Sequence, residues 1–328
     1  MRESSFIKRN LHRWKKIQEE PTDDPDEVAE RFTGLLDDLA YAKTFYSHSK
    51  VTHYINGLAG GIFQRIYSSH QGEKNRFSNF FYYQLPLLIR KHHRLFLFTF
   101  CYFLLICIIG AFSAAHDETF VRGVLGDEYV NMTEQNIANG DPFGVYKDQN
   151  PGYMWLRIAF NNIKVSMFCF VFGIALSAGT LWVLLQNGIM LGSFQYFFFS
   201  KGLGWASVLV IWVHGTLEIS SIIIAGTAGM ILGNSILFPG TYTRKDSLKR
   251  GAKEGLKIIV ALIPIFMVAA FLESFITRHT SMPIAVSISI LALSLAFIVW
   301  YFIIYPIRVQ KQGYRLNTEG KLIKPMQL

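Results

Sequence analysis

Long apolar runs dominate the chain after residue 94, whereas the part before it is polar and charged. A run of about 20 apolar residues is long enough to cross the hydrocarbon core of a bilayer as a helix. Because backbone groups in lipid must bond within their own segment, such runs predict helices rather than open strands. The pattern therefore predicts an all-α protein, a polytopic membrane helix bundle of about six transmembrane helices preceded by a helical region.

The polar region, residues 1–94, has apolar residues at helical spacing. Phe6, Trp14 and Ile17 lie on one face of a helix predicted over residues 1–20, and basic side chains fill much of the rest. Such a basic amphipathic helix can lie in a membrane surface, with its aromatic rings among the headgroups. The alternative is a helix that packs onto the rest of the region. Two further helices are predicted, from Asp26 to about His48 and from Val51 to Tyr67.

A basic cluster ends this region. Aromatic residues from Phe77 onward are followed by Arg90-Lys91-His92-His93-Arg94, a pattern typical of a segment at the membrane interface. We therefore predict contact with the membrane surface for Trp14, Arg90, Lys91 and Arg94.

Charge predicts how the bundle, residues 95–305, crosses the membrane. The loop 116–155 is acidic, which favours an external position, whereas the region 1–94, the loop 239–257 and the tail 306–328 are basic, which favours the cytoplasm. We therefore expect both termini to be cytoplasmic. An odd number of crossings must separate the acidic loop from the basic one. Repeated glycines leave the path of residues 186–206 open between a thin crossing and a re-entrant hairpin. The six predicted spans are 95–115, 162–185, about 188–202, about 206–238, 258–276 and 284–304.

Several motifs in fixed order mark the membrane half. They are Asn161-Asn162-Ile163, Asn187 to Gly192, His214-Gly215-Thr216-Leu217-Glu218, Ala225 to Gly229 and Glu273-Ser274-Phe275. With them, the chain resembles the stage II sporulation protein M family from about Glu3 to Phe275. The resemblance implies a component of a bacterial envelope machine in the cytoplasmic (inner) membrane, acting with peptidoglycan-degrading proteins. Because the family is similar in organisms that never sporulate, the resemblance does not imply sporulation here.

Ionisable groups inside spans are candidates for function, because lipid makes them costly. His214 and Glu218 are four residues apart and share one helical face, and Glu273 lies near the outer end of another span. We hypothesise that these three converge, with Asn162 and Asn187 as further polar groups of the site. Three interpretations stay open: a hydrogen-bonded cluster that fixes helix register, a substrate or ion pathway, and an intramembrane metal site.

Composition excludes several classes of function. Charged residues make up 17% of the chain, against about 25% in a soluble domain. The net charge of +9 flanks apolar spans, which argues against nucleic acid as a partner. The three cysteines lie in apolar runs without metal or disulfide spacing, and the first apolar run starts too late for a cleaved signal peptide.

We therefore expect a non-enzymatic membrane component of an envelope complex, without a cofactor or a resident metal. Its expected partners are the lipid bilayer and other membrane or envelope proteins, with a homodimer left open. The alternatives are a transporter or lipid-translocating protein that uses the polar site, and an intramembrane metal-dependent hydrolase.

Overall fold

The computed structural model describes residues 2–22, 24–68, 76–144, 150–277, 282–317, 320 and 322–323. The chain forms two compact units, Met1–Phe77 and Ser78–Leu328. The predicted division at residue 94 marks where the membrane should begin and stays a prediction. Residues 145–149 of the predicted acidic loop, residues 278–281 before the last span, and the tail positions 318–319, 321 and 324–328 lie outside the described residues.

The first unit consists of three helices, α1 (Glu3–Glu19), α2 (Pro25–Phe45) and α3 (Lys50–Ser68). The start of α2 follows from its local sequence. Asp24 caps the helix by accepting a hydrogen bond from the backbone N–H of Asp26, and Pro25 occupies the first helical position, where its missing N–H has no cost. The three helices share a core that contains Phe6, Trp14, Leu35, Leu39, Ala42 and Ile55.

The predicted contact between Trp14 and the membrane surface is wrong. The Trp14 side chain is fully buried in this core, and its indole N–H donates to Oδ2 of Asp38 at 2.7 Å. An indole ring can lie among headgroups only if one of its faces is free, and here both the ring and its N–H are used inside the unit. The alternative, in which α1 packs onto the rest of the region, is what the structure shows.

The second unit is a helix bundle with short accessory elements. Among the described residues, the π-helical stretches Phe80–Gln84, Leu272–Thr277 and Trp300–Ile304 and the 3-10 turn Phe172–Ile174 interrupt or extend its helices, and β1 (Arg315–Leu316) pairs antiparallel with β2 (Leu322–Ile323). Its helices are α4 (Arg76–Asn79, at the junction of the units), α5 (Leu85–Lys91), α6 (His93–His116), α7 (Glu118–Leu125), α8 (Asp127–Ala138), α9 (Pro151–Val171), α10 (Ala178–Ser200), α11 (Gly204–Leu237), α12 (Arg244–Phe271), α13 (Ile284–Val299) and α14 (Tyr305–Lys311).

Among the described residues, five helices are long and apolar enough to cross a membrane: His93–His116, Pro151–Ile174, Gly204–Leu237, Arg244–Thr277 and Ile284–Lys311. The prediction of an all-α polytopic membrane bundle is therefore confirmed. Gln186, Asn187 and Gln195 interrupt the apolar sequence of α10, although its 23 residues span about 35 Å at 1.5 Å per residue. A crossing by α10 stays a prediction. At the centre lies α11, which packs against α6, α9, α10, α12 and α13.

The structure corrects the second and third predicted spans. Instead of one helix over 162–185, α9 begins at Pro151, where Asn150 caps it through the N–H groups of Gly152 and Tyr153. The chain then turns at Leu176 and Ser177, whose φ angles of 53° and 69° are left-handed. Because both turn residues lie in a continuous apolar run, hydropathy does not reveal the turn. Residues 186–200 are consequently the second half of a full-length helix, neither a thin crossing nor half of a hairpin.

Acidic and basic segments lie at opposite ends of the bundle. At one end, Lys201 after α10 pairs with Oε1 of Glu134 in α8 at 2.6 Å. At the other end, Lys91 pairs with Oε1 of Glu254 near the start of α12 at 2.5 Å. There Arg90 also donates to Gln310 at 2.8 Å. The basic segments thus gather around the start of α6 and the acidic segment around its end.

Glycines bring the helix backbones unusually close. A Cβ atom built on Gly192 of α10 would lie 2.1 Å from the carbonyl oxygen of Cys107 in α6, and one on Gly229 of α11 would lie 2.3 Å from that of Cys169 in α9. In lipid no hydrophobic force draws helices together, so close packing of small residues supplies much of their attraction. These contacts hold α11 against α9, and α10 against α6.

We predict that Gly229→Ala destabilises the bundle, whereas Gly215→Ala in the same helix does not. The new methyl group at position 229 would overlap the backbone of α9, while a Cβ at position 215 meets no atom within 4 Å. Overpacking of this kind costs about 1–3 kcal/mol. Thermal unfolding in detergent measures both variants, and equal midpoints would contradict the prediction.

Candidate functional site

Three ionisable side chains meet inside the bundle. His214 and Glu218 project from one face of α11, and Glu273 comes from the π-helical stretch that follows α12. One possible ligand atom from each lies within 4.8 Å of those from the other two. A π-helical stretch changes the direction of its side chains relative to an α-helix and is frequent at functional sites. The structure therefore brings together the three residues whose convergence the sequence suggested.

The cluster is enclosed by protein. His214 is 4% exposed and Asn162 of α9 is 5% exposed, while the Glu273 side chain retains 14% exposure. His214 lies ten residues from the start of α11 at Gly204, which corresponds to about 15 Å along the axis. That start faces the acidic end of the bundle. Because charge in such a place is costly, each carboxylate needs a cationic or hydrogen-bonding companion.

Thr277 determines how the imidazole of His214 presents its nitrogens. The Thr277 oxygen lies 3.1 Å from Nδ1 of His214 and 3.2 Å from the Leu272 carbonyl oxygen. In the tautomer in which Nδ1 carries the hydrogen, His214 donates to Thr277, and Thr277 donates to Leu272. Neutral imidazole carries one N–H, so Nε2 holds a lone pair in that tautomer. Nε2 faces Oε2 of Glu273 at 3.9 Å, too far for a hydrogen bond.

The two asparagines predicted for the site differ in position. Asn162 lies beside Glu218, and its buried amide nitrogen Nδ2 makes no hydrogen bond of normal geometry, with Glu218 or with any other described residue. Asn187 instead donates to the Val183 carbonyl of its own helix at 2.8 Å. Asn162 therefore belongs to the cluster, whereas the contact of Asn187 is local to α10.

The predicted membrane-surface residues 90, 91 and 94 lie at the basic end. Arg90 and Lys91 contact Gln310 and Glu254 as described, and Arg94 is exposed. Glu254 also lies 2.7 Å from Nε2 of His92, a role that sequence reasoning missed although Glu254 and Asp246 are the two acids of the basic loop 239–257. Contact of Arg90, Lys91 and Arg94 with lipid headgroups stays a prediction.

Thr277 is the second residue that sequence reasoning missed. Any His buried in a membrane needs a partner for its N–H, and this requirement is the signal that could have prompted a search for a nearby hydroxyl. Thr277 lies four residues after Glu273, but only the π-helical path shows that it reaches His214.

We predict that the Thr277–His214 hydrogen bond is measurable as a coupling energy. A double-mutant cycle of Thr277→Val and His214→Ala should give about 0.6–1.7 kcal/mol, the range for polar contacts between membrane helices. The matched control is Thr216→Val, since the Thr216 hydroxyl bonds the Trp212 carbonyl of its own helix and no side chain of another helix among the described residues. Reversible unfolding in mixed micelles measures both cycles, and a coupling no larger than that of the control would refute the assignment.

Comparisons with known proteins divide the chain much as its packing does. The family model described as stage II sporulation protein M matches residues 99–278. A second model, a domain of unknown function (DUF8413), matches residues 4–68, so the three-helix unit is covered by a separate model rather than by the first one. No curated protein and no solved structure matches the chain.

The first match covers more than half of the chain and runs from α6 to the end of the π-helical stretch after α12. It includes Asn162, His214, Glu218, Glu273 and Thr277, and thus the whole polar cluster. The expectation from the membrane motifs is confirmed: this chain belongs to the stage II sporulation protein M family of membrane proteins.

Proposed function

We propose that this protein is a non-enzymatic component of a cell-envelope complex in the bacterial cytoplasmic membrane. The observation that carries the proposal is the separate three-helix unit joined to a membrane bundle. That unit has its own core and its own domain model, as expected of a module with a task of its own. A soluble module attached to a membrane anchor suits a protein that gathers other proteins at the bilayer.

The distribution of charge supports an orientation with both termini in the cytoplasm. The end of the bundle that carries the basic segments 239–257 and 90–94 is the cytoplasmic candidate by the positive-inside rule. Six crossings, by α6 and by α9 to α13, return the chain to the side on which it started. The acidic helices α7 and α8 would then face the outside.

An apolar patch on the three-helix unit is the surface we propose for a partner protein. Phe32 and Leu36 are four residues apart on α2 and therefore share a face, and the ring of Phe63 lies 6.4 Å from that of Phe32. Leu36 is 43% exposed and Phe63 48%. Neighbouring exposed apolar side chains are typical of interaction sites, and we expect a membrane or envelope protein to cover them.

Site-specific photocrosslinking in intact cells tests the proposal. We expect the full chain with a benzoylphenylalanine in place of Leu36 to give one reproducible adduct with an envelope protein, identified by mass spectrometry. The control carries the same group at Lys8, an exposed charged position on α1. Phe63→Asp should weaken the Leu36 adduct, because it places a charge beside the patch.

Two results would contradict the proposal. One is an adduct yield at Leu36 no higher than at Lys8. The other is an adduct that contains only a second copy of the chain, which would make the patch a homodimer surface instead.

We predict opposite accessibility for the two ends of the bundle. In a chain without its three native cysteines, Glu128→Cys in α8 should react with a membrane-impermeant maleimide in intact spheroplasts. Lys253→Cys in α12 should react only after lysis, because both positions are exposed but on opposite ends. Labelling of Lys253→Cys before lysis would overturn the orientation.

A second candidate function is transport of an ion or lipid, favoured by the buried His214, Glu218 and Glu273 cluster. Transporters place polar side chains at membrane depth between packed helices. Movement of solute or lipid in proteoliposomes, abolished by Glu218→Gln, would distinguish this function from a scaffold.

A further inference from the structure

We propose that His214, Glu218 and Glu273 bind a divalent transition-metal ion, held in place by Asn162 and Thr277 as positioning residues. The proposal goes beyond the role in an envelope complex and departs from the expectation of a metal-free protein. It depends on four features of the cluster: the distances between the ligand atoms, their chemical type, their charge, and the side chains that hydrogen-bond to the ligands.

The distances suit a single ion. Metal–ligand bonds to His nitrogen and carboxylate oxygen are about 2.0–2.2 Å, so ligand atoms around one tetrahedral ion lie about 3.3–3.6 Å apart. The separation between Nε2 of His214 and Oε2 of Glu273 is 3.9 Å, and every pair of ligand atoms lies within 4.8 Å. Small side-chain rotations are enough to complete the coordination.

The donor set favours a transition metal. One imidazole nitrogen with two carboxylates suits ions such as Zn²⁺, Mn²⁺ or Fe²⁺, whereas Ca²⁺ and Mg²⁺ take oxygen ligands. The lone pair on Nε2 of His214 is directed at the carboxylates rather than at a hydrogen-bond donor. A cation in the gap would turn this repulsive arrangement into three favourable bonds.

Charge gives a further reason. Two carboxylates and one divalent cation sum to zero, which removes most of the cost of burying charge in the bilayer. The acidic end of the bundle, with exposed Asp117, Glu118, Asp127 and Glu128, faces the start of α11. Negative potential there would concentrate cations near the cluster.

Outer partners orient two of the three ligands. Metal-binding His side chains commonly donate their second N–H to a neighbouring group, as His214 does to Thr277 at 3.1 Å. Asn162 lies beside Glu218, with its buried Nδ2 free of any acceptor among the described residues. If one Glu218 oxygen binds the ion, the other oxygen can accept a hydrogen bond from Nδ2 of Asn162. The buried amide N–H would then have an acceptor.

Metal analysis of the purified full chain tests the site directly. Protein in detergent is stripped with a chelator, loaded with ZnCl₂, desalted and analysed by mass spectrometry for zinc. We expect about one ion per chain for the wild type, with three protein ligands and one position left to water, and none retained by Glu218→Gln with Glu273→Gln. The matched control is Glu254→Gln, the same change on a half-buried carboxylate of α12, which should keep its zinc.

The positioning residues have their own readout. Thr277→Val and Asn162→Ala should each weaken zinc affinity by about 10–100-fold, as changes in outer partners do. Thr277→Ser keeps the hydroxyl and should bind zinc with the affinity of the wild type. Co²⁺ in place of Zn²⁺ gives visible ligand-field bands that depend on the ligand set. These bands should change in Thr277→Val and stay the same in Glu254→Gln, which a purely structural role would not produce.

The proposal is overturned if the loaded wild type retains no zinc, in which case the carboxylates are neutralised by protons. It is equally overturned if the double Gln variant retains as much zinc as the wild type. Should that variant fail to fold, the cobalt spectrum of the wild type decides, and a spectrum identical to Co²⁺ in detergent alone rejects the site.

Discussion

The close approach of helix backbones at glycine is the constraint on which the rest of this structure depends. In lipid, apolar side chains gain nothing by leaving one apolar environment for another, so the helices must be held by packing and polar contacts. Gly173, in the 3-10 turn that follows α9, lies so near Gly229 of α11 that a Cβ on Gly173 would be 2.1 Å from the Gly229 carbonyl oxygen. That contact fixes α11 at the centre and determines which residues of other helices its polar face meets.

The polar cluster is a consequence of this arrangement. With α11 held against α9 and α12, His214 and Glu218 meet Asn162 of α9 and Glu273 of the π-helical stretch that follows α12. The cost of burying these groups in the bilayer makes each contact consequential. A cation bound by all three ligand atoms would join α11 to the π-helical stretch after α12. Occupancy of the site by the cation would then depend on how the helices pack at the acidic end of the bundle.

The two units differ in the surfaces that they present. The three-helix unit keeps its aromatic residues inside, as Trp14 shows by donating to Asp38, and offers the apolar patch around Leu36. The bundle separates its charges, with Glu254 between Lys91 and His92 at one end and Glu134 beside Lys201 at the other. A membrane bundle and a separate three-helix unit are the parts that the proposed organising role in the envelope requires.

The amino-acid sequence by itself determined the class of structure, because run length and hydropathy are properties of each segment alone. The membrane bundle, the helices of the first unit and the family all followed from it, and i, i+4 spacing placed His214 and Glu218 on one face. The sequence did not determine four other features: the turn at Leu176 and Ser177, the full length of α10, the burial of Trp14, and the contact between Thr277 and His214. Only the tertiary structure decided these, since each depends on which surface a segment packs against, and a uniformly apolar stretch carries no periodic signal for that choice.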